Sequence, residues 1–170
     1  MLGLGNAYDV VSGVVPIDLQ TARTGDYISL KNAGGVDILI FKGVGTDGDD
    51  QTFTLQQATT VAGGSAKDLA IITQYWEKEA VTDLLSTGVW TRVTQTAATT
   101  IAPGDPTAQY AAMYVVHVEA DQLDVDNGFD CINMSNDGAG SNAQLGCILY
   151  ILTDLHVKAT PANLPNSIID

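Results

Sequence analysis

Apolar and polar positions alternate along most of this chain, in the manner of half-buried β-strands. Tyr27-Ile28-Ser29-Leu30-Lys31 alternates large side chains with polar ones, and after the breaker Asn32-Ala33-Gly34-Gly35 comes Val36-Asp37-Ile38-Leu39-Ile40-Phe41-Lys42. A third run, Gln51-Thr52-Phe53-Thr54-Leu55-Gln56, sets Phe53 and Leu55 on one face and threonines and glutamines on the other. Three such runs separated by turn residues predict an antiparallel meander over Asp26–Gln56 with one wet face.

Further along, Ile71-Ile72-Thr73-Gln74-Tyr75-Trp76 is β-branched and aromatic, and predicts a strand ending near Lys78. A helical turn is expected over Val81–Ser86 before Gly88, then a strand over Val89–Gln95 and an exposed connector over Thr96–Pro106. Ala112–Glu119 reads as a nearly continuous buried strand. Asn127-Gly128 suits a tight chain reversal, because both residues tolerate positive φ. Strands over Phe129–Ser135 and Ala143–Thr153 follow. The second, with Leu145, Cys147, Ile148, Leu149, Tyr150, Ile151 and Leu152, is the most apolar run and is expected centrally in a sheet.

The two ends read differently. Residues 1–25 hold β-branched pairs interrupted by Gly5, Gly13 and Pro16, and proline cannot donate to a central ladder. This pattern predicts an N-terminal arm lying along a sheet edge, of the same subunit or, by strand addition, of a neighbour. Residues 159–170, with Pro161 and Pro165, predict an extended C-terminal tail. The expected organisation is therefore arm 1–25, β-domain 26–158 and tail 159–170.

Composition narrows the function. A chain of 170 residues with 45% hydrophobic and 16% charged residues buries one core and is too apolar for disorder. Its formal charge of −13 repels phosphate backbones and anionic bilayers, so neither nucleic acid nor membrane is an expected partner; a basic surface would suit it better, and solubility alone is the plainer reading of the charge. Met1-Leu2-Gly3-Leu4-Gly5-Asn6 lacks the basic region and apolar segment of a secretory signal, which predicts synthesis in a cytoplasm. Cys131 and Cys147 both sit in apolar runs, as buried free thiols do.

Catalytic patterns are absent from the sequence. There is no G-x-S-x-G elbow, no P-loop, no dinucleotide fingerprint and no zinc-spaced set of Cys and His. His117 and His156 each stand alone and read as hydrogen-bonded structural histidines. The remaining candidates are two acidic loops. Asp47 and Asp49 in the first, and Asp124 and Asp126 in the second, have the clustered oxygens that a hard cation takes. Neither loop keeps calcium-loop spacing: after Asp47 the sixth position is not glycine, and after Asp124 glycine falls at the fifth. Solvated turns are the plainer reading, with no resident metal or cofactor and no enzymatic step.

Leu2-Gly3-Leu4-Gly5-Asn6-Ala7-Tyr8, Ile28-Ser29-Leu30-Lys31-Asn32-Ala33-Gly34-Gly35, Phe41-Lys42-Gly43-Val44-Gly45 and Leu123-Asp124-Val125-Asp126-Asn127-Gly128-Phe129-Asp130-Cys131 resemble a family of tailed-bacteriophage capsid decoration, or cement, proteins. The resemblance implies an antiparallel β-sandwich or jelly roll, a homotrimer, and a place on the outer capsid surface of the virion with the major capsid protein as partner. It implies no catalytic residues. Other readings kept open are a tail-tube, fibre or head-completion protein, and a carbohydrate- or calcium-binding β-module.

Overall fold

The computed structural model describes residues 4–80, 88–103, 110–138 and 140–156. A single helical turn, α1 (Leu4–Ala7), leads into β1 (Asp9–Asp18), β2 (Ile28–Ser29), β3 (Gly35–Lys42) and β4 (Phe53–Ala58). Then come β5 (Lys67–Asp68), β6 (Ile72–Ala80), β7 (Thr91–Ala98) and β8 (Thr100–Ile101). After β9 (Ala111–Glu119), two 3-10 turns, Ala120–Gln122 and Val125–Asn127, lead to β10 (Cys131–Asn136) and β11 (Leu145–Thr153). Every pairing is antiparallel, and the strands form two sheets. The larger has the order β1-β11-β3-β9-β6-β7; the smaller runs β2-β10-β4-β5, with β8 also on β4.

The two sheets stack as a β-sandwich. Alternate residues of β3, β9 and β11, among them Ile38, Ile40, Tyr114, Ile148 and Tyr150, point into the gap and are fully buried. Phe53, Leu55, Ile132 and Met134 meet them from β4 and β10. Each buried side chain of this size contributes up to about 1.5–3 kcal/mol relative to exposure. Phe53, Tyr114 and Tyr75 pack ring on ring with centroids 6.3 and 6.4 Å apart.

Several expectations are corrected. The meander over Asp26–Gln56 does not form, because β2 and β4 belong to the small sheet and β3 between them to the large one. Alternation fixes which side of a strand is buried but says nothing of its neighbour, and the Asn32–Gly35 turn carries the chain across the gap instead of back along it. The N-terminal segment does lie along a sheet edge, and the edge is that of its own subunit: β1 closes the large sheet as a strand of the domain, paired with β11 from Asp9↔Leu152 to Asp18↔Leu145. Its ladder slips between Ser12 and Val14 and between Val14 and Ile17, which accommodates Gly13 and Pro16 as irregularities an edge tolerates. Beyond it, Leu19 is fully buried and Arg23 bridges Asn136.

The connector expected over Thr96–Pro106 holds the end of β7 and all of β8, where Ile101 is fully buried. The strand expected over Ala112–Glu119 is present as β9, but it alternates, with Tyr114 and Val116 inside and His117 and Glu119 exposed. β11 lies between β1 and β3, inside its sheet as expected. At the expected reversal Gly128 has φ +80°, though it joins strands of different sheets. The helical turn over Val81–Ser86 and the tail over 159–170 lie outside the described residues.

Candidate functional site

The pleat sends every second side chain of the large sheet away from the core, and on a sheet with one wet face these should be polar. Here they are not. Register places Leu149, Leu39, Val115 and Trp76 side by side across β11, β3, β9 and β6. The next row is Cys147, Phe41, Met113 and Lys78. Trp76 and Phe41 are 44% and 48% exposed, and the other apolar members are half-buried by their neighbours. With strands about 4.8 Å apart and rows about 7 Å apart, the band covers on the order of 300 Å² in plan, comparable to the largest apolar patch of an ordinary monomer, which is often a functional surface.

Charge is confined to its ends. At one, His117 lies between two carboxylates, with Nδ1 2.7 Å from Asp37 Oδ1 and Nε2 3.0 Å from Glu119 Oε1. Partial burial works against the imidazolium, but the hydrogen bonds to Glu119 and Asp37 outweigh it and raise the His117 pKa. Both ring nitrogens face acceptors, an arrangement only the doubly protonated ring satisfies. Asp37 and His117 resemble the base and orienting acid of a nucleophilic triad, yet the second nitrogen meets Glu119, where catalysis needs a hydroxyl or thiol. The cluster is an ion-pair clip. Beside it a depression of about 180 Å³ is lined by Tyr75, Trp76, Val115, His117, Glu119 and Gln122, among others. At the other end of the band Lys78 Nζ stands 5.9 Å from the Trp90 ring, and Arg92 lies opposite Trp76.

The acidic candidates have other occupations. Asp49 accepts from the Ser141 amide at 3.2 Å and from the Asn142 amide and side chain at 2.9 and 2.7 Å, and the Asn142 side chain foremost lowers its pKa. Asp47 is exposed in the adjoining turn. Asp124 accepts from Lys67 Nζ and from Asn127 Nδ2 at 2.7 Å, and its pKa falls, chiefly through Lys67. Asp126 is exposed. Among the described residues no three His, Cys, Asp or Glu side chains are grouped to hold a metal ion. Asp49 and Asp124 are fasteners between loops.

His117, expected inside a buried strand, is instead on the outer face. His156 is exposed on a cleft of about 440 Å³ that Glu119, Asp121 and the Lys31–Asp130 ion pair (3.3 Å) also line, and its amide donates to the Asn32 carbonyl. Cys131 is buried and Cys147 half-buried, both as free thiols, and burial pushes the Cys147 pKa up, away from reactivity. The apolar band itself was missed in the sequence, though a signal exists: Ile38 to Phe41 and Cys147 to Leu152 are apolar at both parities. Comparison with known proteins finds no matching family model and no matching curated relative.

Proposed function

We propose that this protein is a non-catalytic structural subunit that coats a larger protein shell, as a decoration or cement protein on the outer surface of a tailed-phage capsid. The observation that carries this reading is the apolar outer face of the large sheet, which a two-layer sandwich with its core already filled does not need for folding. Apolar patches of this kind often serve as contact surfaces, and a shell subunit has such a contact to make. The strand order supports a jelly-roll reading of the sandwich: β1, β11, β3 and β9 fall in one layer and β2, β10, β4 and β8 in the other, and the chain changes layer at every step except β4 to β5 and β6 to β7. The charge of −13 favours a basic shell surface and disfavours nucleic acid. The capsid as partner rests on the sequence resemblance. Many modest contacts repeated over a shell raise its resistance to rupture although each is weak.

The test is to add the purified protein to capsids stripped of it, then measure co-sedimentation and the temperature at which the shells rupture. Binding that saturates at a ratio fixed by the shell lattice, with rupture moved upward, is expected. Absence of binding to shells, or location of the protein in tails or fibres of purified particles, overturns the capsid reading.

A further inference from the structure

We infer that the apolar outer face of the large sheet is covered by the same face of a second copy of this chain, related by a two-fold axis that runs between β3 and β9, parallel to them. The inference rests on the assembly reading above and names what covers this face.

Three observations lead to it. The first is shape: the natural cover for an apolar sheet face is another sheet about 10 Å away, the packing already used inside the sandwich. The second is register. A rotation about that axis lays β3 over the second copy's β9 and β11 over its β6. Leu39 then faces Val115, Phe41 faces Met113 and Leu149 faces Trp76, because these pairs already share rows of the ladder. Asp37, in register with His117, faces the second copy's His117, so two ion pairs alternate in sign across the axis. An axis parallel to the strands stacks the two sheets aligned, within the roughly 30° found for packed sheets, and keeps the contacts beside the axis in place. An isologous contact needs one patch complementary to itself, which the three apolar pairs beside the axis supply, with Lys78 at the rim opposite the second copy's Cys147.

The third observation is charge. The chain carries −13, yet the band and its ends set Asp37 and Glu119 against Lys78, Arg92 and a clipped His117. Repulsion between two acidic copies therefore acts from other surfaces. The band supplies the apolar centre of an interface, and the exposed side chains of β7 lie beside it as a polar rim.

Sedimentation equilibrium of the full chain between about 1 and 100 μM tests this. A dimer is expected. Trp76→Asp, at a half-exposed position, is expected to weaken it by at least about 30-fold, as loss of an interface anchor does. Val125→Asp, on an exposed 3-10 turn away from the band, should leave dimerisation unchanged. Cooperative melting of each variant shows that it is folded. A monomeric wild-type chain over the whole range overturns the inference whatever the variants do, and so does a trimer. A monomer that binds shells and loses that binding with Trp76→Asp assigns the face to the capsid, which overturns this inference and keeps the proposed function. A dimer sensitive to Trp76→Asp that ignores shells does the reverse.

Discussion

The backbone amide of Met134 donates a 2.9 Å hydrogen bond to the phenolic oxygen of Tyr150, which joins β10 to β11 across the core. It is made where the ladder beside β10 is irregular: five residue steps from Ile28 to Arg23 face four from Ile132 to Asn136. Tyr150→Phe keeps the ring but leaves a buried amide without its acceptor, a loss of about 1–3 kcal/mol. Urea unfolding should show a lower midpoint at unchanged slope.

The same ring constrains β1. A Cβ on Gly13 would lie 2.4 Å from Tyr150 Cε2, so Gly13→Ala forces ring or strand to move and costs about 1–3 kcal/mol. In a Tyr150→Val background, Gly13→Ala should add much less. Equal costs in both backgrounds, measured in a double-mutant cycle, would place the strain in the glycine backbone instead.

His117 predicts a dependence on mild pH. Its folded pKa is raised, so the stabilisation from Asp37 and Glu119 is fully present below the unfolded value of about 6.5 and is lost as pH climbs through the folded value. The melting temperature of the wild-type protein should fall more between pH 6 and 8 than that of His117→Gln. Parallel curves for the two proteins would contradict the ion-pair clip.

Lys42 acts in the opposite sense. It is 2% exposed, its Nζ donates to the Tyr110 carbonyl at 2.8 Å, and burial depresses its pKa to about 8 against the pull of Glu79 and Asp50. Between about pH 8 and 10.5 the unfolded chain holds a proton that the folded one has released, so the Lys42 contribution to stability grows with pH there. The difference in unfolding free energy between wild type and Lys42→Met should shift in favour of the wild type across this window. Buried tyrosines drop out of that difference because both proteins contain them.

Asp49 and Asp124 make calcium a discriminating probe. Because their oxygens already accept from Ser141, Asn142, Lys67 and Asn127, millimolar calcium or chelator should leave the melting temperature unchanged. Asp49→Ala should instead lower it and speed hydrogen exchange at the Ser141 and Asn142 amides. A calcium-induced rise abolished by Asp124→Ala would reinstate the metal reading.

Strands that own a long apolar pattern were legible in the sequence. Val36–Lys42, Ala112–Glu119 and Ala143–Thr153 became β3, β9 and β11 with small changes at their ends. The pairings were not legible, since Asn32–Gly35 has the same composition whether it reverses a chain within a sheet or hands it to the opposite layer. Two-residue strands such as β5 and β8 exist only through their partners, so Ile101 looked like part of a loop. His117 was assigned to the core because Val115, Val116 and Val118 surround it, and which of two apolar parities faces inward is decided by the opposite sheet. The band of Leu39, Val115 and Trp76 was hidden for the same reason: a run apolar on both sides looks alike whether its second side meets a layer of its own chain or another molecule.

The ladder between residues near 10 and residues near 150 has a consequence for biosynthesis. β3 sits between β11 and β9, and β10 between β2 and β4, so β1 to β4 wait for neighbours made about seventy or more residues later. Such long-range closure is slow, and it leaves sticky edges open in the interim. Folding of this domain should thus wait for the emergence of Leu145–Thr153, the step that lets it shut.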